Sequence, residues 1–462
     1  MTRPRPQRGL RVAIVALAAS VVLTGGVVAG RDWVARAVGD ARVWHAGIVP
    51  STPPVLPPAS AGPQAPTTAG LSTALRDLLA DPGLGTHVAA SVHDSVTGQS
   101  LFASDGDTPS TPASTAKLIT AATVLTVHDP AYRLRTRAVA GTAPGDVVLI
   151  GAGDPTLAAG KVGTYPDAAR LPDLATQVKA ALGGTAPARV IVDSSLFEGP
   201  VFGPGWDEDI PTGGNVSAIT ALMTDGARVD PTRVRGGTKR YPEPALAAGQ
   251  AFAAALGIPG RVQAGKAPDG AKELGAVESP PLIRLVDVML TESDNIIAEC
   301  LARQVALARK KPASFEGAAE ATRAVLGELG LPAAEDDLVD GSGLSRRDRL
   351  TPSLLADVLA LATRTDRLRA VFAGLPVAGF SGTLRDRYRS PAAGGAAAGL
   401  VRAKTGTLRG VSSIAGIVVD ADGRTLTFAV LADQVAVGQA AITASQQALD
   451  RVTAALAACG CR

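Results

Sequence analysis

Histidine is almost missing from this chain, and the four present (His45, His87, His93 and His128) all fall in its first third. A hydrolase built on a Ser-His-Asp triad needs a histidine placed against a Gly-x-Ser-x-Gly elbow, and no such elbow occurs. Cysteine is equally sparse. Cys300, Cys459 and Cys461 are too few and too badly spaced for a metal site, and an odd count in an exported chain leaves one thiol over. Cys300 then reads as a small buried residue on a helix. Aromatics make up 3 % of the residues, so the cores must be Ala, Val and Leu. A formal charge of +3 is too weak to point to nucleic acid.

What remains is a mixed composition, long enough for two domains with sizeable cores. At the start, Arg3, Arg5, Arg8 and Arg11 precede an uncharged run over 12–30 that ends at Arg31. As helix that run reaches about 28 Å, close to the hydrocarbon thickness of a bilayer. Residues 1–30 therefore read as an N-terminal membrane anchor, or as a signal peptide with Val28-Ala29-Gly30 as a fair cleavage site. In either case the positive flank stays inside and the rest of the chain is extracytoplasmic. Residues 31–70, Pro-rich with Ala, Ser and Thr, read as a disordered linker.

From 71 onward the pattern is that of a folded protein. A helix at 71–79, strands at 87–93 and near 101, and a helix at 113–127 come first. Short strands at 134–140, 146–150 and 189–192, with one helix at 172–182, mark residues 133–274 as an inserted α+β domain. Helices follow at 282–291, 295–308, 314–329 and 351–362, then three strands over 399–431 and a helix at 438–458. Residues 71–132 and 275–462 would thus close one five-stranded antiparallel sheet between helical layers, an α+β fold of mixed α/β composition.

Three short motifs carry the chemistry. Thr111 and Pro112 suit the cap and first position of the 113–127 helix. Ser114 and Lys117, spaced i and i+3, then share one face of it. Lys117 is the only one of the nine lysines with a serine three residues before it, and the only charge on that helix. An apolar setting near a positive helix end disfavours its ammonium, so it can take the serine proton. The Ser114 N–H, among the open donors of the first turn, can stabilise an oxyanion. Taken locally, the same pair also reads as a helix cap and a solvent-reaching lysine.

Ser293-Asp294-Asn295 lies between two helices, where Ser293 can cap the second or pass a proton to a leaving nitrogen. Asn295 offers a peptide both a donor and an acceptor. Lys404-Thr405-Gly406-Thr407 ends a strand; on an edge strand such a lysine commonly faces solvent. The functional alternative is that Gly406 admits a ligand close to the backbone. The Thr407 N–H is then a second oxyanion donor, and Lys404, Thr405 and Thr407 hold a carboxylate.

Ser-x-x-Lys, Ser-Asp-Asn and Lys-Thr-Gly, in that order, are the motif set of the penicillin-recognising serine enzymes. About 110 residues separate the last two motifs and about 175 the first two, the excess matching the inserted segment. The chain resembles the D-alanyl-D-alanine carboxypeptidase/endopeptidase family of class C low-molecular-mass penicillin-binding proteins across about residues 71–460. Gly151-Ala152-Gly153-Asp154-Pro155-Thr156-Leu157, Asp340-Gly341-Ser342-Gly343-Leu344-Ser345 and Leu375-Pro376-Val377-Ala378-Gly379 with Gly382-Thr383-Leu384 also match. Ser381 stands where many relatives carry Asp.

The resemblance implies a penicillin-binding transpeptidase-like domain, acylation of Ser114 by the D-Ala-D-Ala end of peptidoglycan stem peptides, and release of D-alanine by water. It further implies inhibition by β-lactams, no metal and no cofactor. The balance of carboxypeptidase, endopeptidase and transpeptidase activity stays open, as do a β-lactamase-like hydrolase and a non-catalytic cell-wall-binding protein of the same fold.

Overall fold

The structure is a computed structural model that describes residues 64–331, 336–390 and 394–461; the expected anchor at 1–30 and most of the linker lie outside them. Among the described residues no helix is long and apolar enough to cross a membrane.

The main sheet forms from strands far apart in sequence. β1 (Val88–Asp94) and β2 (Ser100–Ser104) join three strands from the far end of the chain, Val401–Leu408, Val411–Val419 and Thr425–Ala432. With the strands between them counted these are β8, β9 and β10, and the order is β2-β1-β10-β9-β8, antiparallel throughout. Alternation along β10 builds two cores. Ala429 and Leu431 face a cluster that includes Leu118, Val286, Leu301 and Leu355, whereas Phe428 and Val430 face one with Leu71, Leu75, Leu449 and Leu456.

The first cluster is supplied by α2 (Lys117–Val127), α5 (Leu282–Thr291), α6 (Asn295–Ala308), α7 (Phe315–Glu328) and α8 (Pro352–Arg364). The second is supplied by α1 (Thr68–Leu79) and α9 (Gln439–Ala458). The expected α+β architecture, one five-stranded antiparallel sheet between helical layers, is therefore the observed one.

A second five-stranded sheet, in the order β6-β5-β4-β3-β7, uses Val262–Ala264, Arg189–Asp193, Asp146–Ile150, Arg135–Ala140 and Glu273–Glu278. Its β4-β5 and β5-β6 pairs are parallel, crossed by α3 (Leu171–Ala181) and α4 (Pro244–Leu256), whose Leu174, Val178 and Phe252 pack on it. The sequence pattern showed three of these strands and one helix. Helix α4 was hidden because it is nearly all Ala and Leu with a glycine inside, so no polar face interrupts its apolar one. Strand β6 has three residues, and β7 carries Glu at both ends; it runs to 278, past the expected boundary at 274.

The turn before α2 also departs from expectation. Residues Ala113–Ala116 form a 3-10 turn with no side-chain cap, and Ala113 is left-handed at φ 48°. Thr111 is not a cap; its hydroxyl accepts from Arg349 at 3.1 Å. The turn is clamped from outside. Ser413 donates to the Pro112 carbonyl at 2.7 Å, and Gly343 (φ 78°) lies so close that an added Cβ would sit 1.8 Å from the Ala113 carbonyl oxygen. Gly343→Ala is therefore expected to destabilise the fold by about 3 kcal/mol or more and to displace Ser114. Thermal unfolding together with the rate of β-lactam acylation checks this.

Candidate active site

The three motifs meet at one cleft of about 620 Å³, whose walls include Ser114, Ser293, Asn295, Thr405 and Thr407. Lys117 and Lys404 lie behind that wall, both 0 % exposed. Each lysine serves one serine. Lys117 Nζ donates to Ser114 Oγ at 2.8 Å, to Asn295 Oδ1 at 2.7 Å and to the Ser342 carbonyl at 2.7 Å. Lys404 Nζ donates to Ser293 Oγ at 2.9 Å and to the Thr405 carbonyl at 2.7 Å. The solvent-reaching alternatives for both lysines are excluded by this burial.

Local structure explains each position. Lys117 opens α2 one turn after Ser114, so the i, i+3 spacing alone brings the pair together. Ser293 is left-handed at φ 57° and is not the cap of α6. Asp294 is: its Oδ1 accepts the N–H groups of Ile296 and Ile297, both at 2.9 Å. An aspartate satisfies two open donors of a first turn and favours the positive helix end, which a hydroxyl cannot match. Freed from capping, Ser293 turns its hydroxyl to Lys404.

Asn295 is held from both ends, its Nδ2 donating to the Asn215 carbonyl at 3.0 Å. The two asparagines of the chain thus meet. On β8, a Cβ at Gly406 would lie 2.2 Å from Ser413 Oγ and 2.8 Å from the Pro112 carbonyl oxygen. The protein's own packing against the nucleophile's turn therefore already requires a glycine here. Thr405 shares a hydrogen bond of 2.7 Å with Thr383, and Thr407 is exposed beside them. Ser381 Oγ accepts the Val377 N–H at 2.9 Å, so a serine closes this turn without an aspartate.

Burial lowers the ionisation of both amines. Burial pushes Lys117 down to about 8, while the carboxylates of Asp340, Glu299, Asp294 and Asp348 pull it back up. Burial, then the charge of Lys117, holds Lys404 well below its ordinary value. Glu299 is itself pushed up to about 7 by burial and by Asp340, and it accepts the Gly341 N–H at 3.1 Å, one residue from the carbonyl that Lys117 uses. Asp340 fixes the same loop, accepting from the N–H groups of Ser342, Gly343 and Ser345 and from Trp206.

Sequence reasoning did not single out Asn215, Ser342, Thr383 or Glu299 as site residues. Asn215 had a signal in its rarity, and Ser342 and Thr383 lay within matched stretches; Glu299, one helical turn after Asn295, had none. Among the described residues no group of His, Cys, Asp and Glu is arranged to hold a metal. Cys459 and Cys461 form a disulfide and Cys300 is a buried free thiol.

A cleft serine held by one buried lysine, with a second serine of the same cleft held by another, is an arrangement suited to serine-type acyl transfer in a mixed α/β enzyme. The D-Ala-D-Ala carboxypeptidase 3 (S13) family model matches residues 71–241 and 233–456, and the chain belongs to that family. A carboxypeptidase of Mycobacterium tuberculosis is 40 % identical over 433 residues, 90 % of this chain and 92 % of that protein. Carboxypeptidase DacB of Mycolicibacterium smegmatis is 40 % identical over 469 residues, 97 % of this chain and 96 % of that protein. The crystal structure of penicillin binding protein 4 from Haemophilus influenzae superposes with a TM-score of 0.66 at 24 % identity, covering 83 % of this chain and 98 % of that one, a likeness of fold.

Proposed function

We propose that this carboxypeptidase removes the terminal D-alanine from peptidoglycan stem peptides through an acyl-enzyme on Ser114. Neutral Lys117 takes the Ser114 proton as Oγ attacks the penultimate D-Ala carbonyl. The N–H groups of Ser114 and Thr407 hold the oxyanion, and Asn295 and Thr405 position the peptide. Ser293 and Lys404 relay the proton to the departing amine, and Thr405 and Thr407 contact the D-alanine carboxylate. Water then frees the acyl group. β-Lactams acylate the same serine and inhibit.

The observation that carries this reading is the 2.8 Å contact between Lys117 Nζ and Ser114 Oγ inside a buried site. The reading needs neither metal nor cofactor. It places the enzyme outside the cytoplasm, with residues 1–30 as anchor or leader and the second sheet as an inserted domain. Incubation with a fluorescent penicillin and with a D-Ala-D-Ala peptide, followed by peptide mapping, tests it. An adduct on Ser114 with release of D-alanine is expected; an adduct elsewhere contradicts it.

A pH prediction follows from the lysine. Lys117 acts as a base only when deprotonated, and burial sets its ionisation at about 8. The second-order rate of acylation is therefore expected to climb about tenfold per pH unit between about 6 and 8 and then to level off. Stopped-flow labelling with a fluorescent penicillin measures this profile.

A further inference from the structure

Past Ser293 the cleft opens into a second cavity of about 340 Å³, and Asn215, Ser293, Asn295 and Thr383 line both spaces. Three guanidinium groups border this second space, those of Arg228, Arg235 and Arg240. The Arg228 side chain is 6 % exposed; it donates to Tyr165 Oη at 2.8 Å and lies 3.5 Å from Asp294, and its Nε finds no hydrogen-bond partner. Arg240 is held by the Gly214 and Gly226 carbonyls at 3.0 and 2.7 Å. Among the described residues no ion pair to Arg240 is found.

Two carboxylates, Asp294 and Glu292, oppose the three guanidinium groups. Asp294 is shared between Arg228 and the hydrogen bonds it accepts from Ile296, Ile297 and Tyr165, and Glu292 makes two 3.4 Å contacts with the half-exposed Arg235, which leaves Arg240 as the guanidinium of the three without a carboxylate at ion-pair distance among the described residues. Burial and the neighbouring charge of Arg228 hold the Arg240 guanidinium below its usual value. Two cations are thus kept close together in a partly dry wall, an arrangement that an anion stabilises.

We propose that this cavity is a subsite for a carboxylate borne by the leaving portion of the substrate, in addition to the one next to the scissile bond. The inference rests on the acyl-enzyme reading, in which Ser293 hands the proton to the departing nitrogen. A leaving group with more than a methyl side chain must then continue past Ser293 and Thr383, the two residues at the mouth of the cavity. In the step served, the bond from the D-Ala carbonyl carbon to that nitrogen breaks and the Ser114 Oγ–carbon bond forms. The serine proton ends on the amine, which leaves with both its carboxylates. The preferred substrates are thus D-Ala amides of acidic D-amino acids or of peptides bearing a free carboxylate.

The test compares three acylated peptides ending in D-Ala-D-Ala, D-Ala-D-Glu and D-Ala-D-Gln, hydrolysed by the full chain at low and high salt. The D-Glu peptide is expected to exceed its neutral D-Gln isostere about tenfold in kcat/KM, mostly through KM, with the gain shrinking at high salt. Arg240→Gln and Arg235→Gln are each expected to bring that ratio toward one while leaving β-lactam acylation and D-Ala-D-Ala turnover within about twofold of wild type. Arg235 is exposed, so its variant folds even if Arg240→Gln does not. A wild-type ratio near one, or a ratio that persists in the double variant, overturns the subsite while leaving the carboxypeptidase reading intact. Absence of both D-Ala-D-Ala cleavage and a penicillin adduct removes the two together.

Discussion

Ser114→Ala is expected to eliminate covalent labelling by β-lactams and to lower D-alanine release by roughly a million-fold. In serine hydrolases, loss of the nucleophile costs about as much as loss of the whole catalytic set, and only binding and oxyanion contacts remain. The size of the effect follows from the chemistry: without Oγ there is no acyl-enzyme, and the reaction must proceed by direct attack of water. The fold should be unaffected. Ser114 is partly exposed at the cleft, and its hydroxyl oxygen accepts a hydrogen bond from Lys117. Intact mass after incubation with penicillin, set beside the melting temperature, separates loss of chemistry from loss of structure. A non-catalytic wall-binding protein of this fold would never have carried the adduct in its wild-type form.

Lys117→Ala is expected to slow acylation by about 10²- to 10⁴-fold, the scale of a lost general base. It also empties a buried volume and leaves Asn295 Oδ1 and the Ser342 carbonyl without the donor that now reaches them at 2.7 Å. A stability loss of about 2–4 kcal/mol should accompany the rate loss. Lys117→Met keeps most of the volume and separates the two: the rate loss should persist while much of the stability returns. Because base and nucleophile act as a unit, the Ser114→Ala/Lys117→Ala double variant should be no slower than Ser114→Ala alone. Pre-steady-state labelling of the single variants, and D-alanine release from all of them, give these numbers.

Much of this site could be read from the sequence because its pieces are local. Ser114 and Lys117 are one turn apart, and Ser293, Asn295 and the Lys404–Thr407 stretch each sit at the end of an element whose period was plain. The helices at 282–291 and 295–308 and the strands over 399–431 came out close to their observed bounds for the same reason. What the sequence did not show lies where a distant residue decides. Thr111 is drawn away from capping by Arg349, which is 238 positions on. Gly406 is required by Ser413 and Pro112, contacts that exist only once β8 and β9 pair beside the nucleophile's turn. Asp294 outcompetes Ser293 for the α6 cap, and Tyr165 and Arg228 reach it from stretches of 133–274 to which the sequence pattern assigned neither strand nor helix. Glu299 lies on a buried face of α6, where Arg303 one turn on pairs with it at 3.4 Å but its link to the site comes only through the distant Gly341 N–H.

The account depends on an uncharged amine at Lys117 within reach of the Ser114 hydroxyl. The most direct measurement is the ionisation of that amine, followed by nitrogen-detected NMR of Nζ-labelled lysine, with Lys117→Arg to assign the resonance. A midpoint near 8 is the predicted result. A Lys117 resonance that stays protonated up to about 10.4, the ordinary value for lysine, would contradict the account, because at neutral pH almost none of it could accept the serine proton.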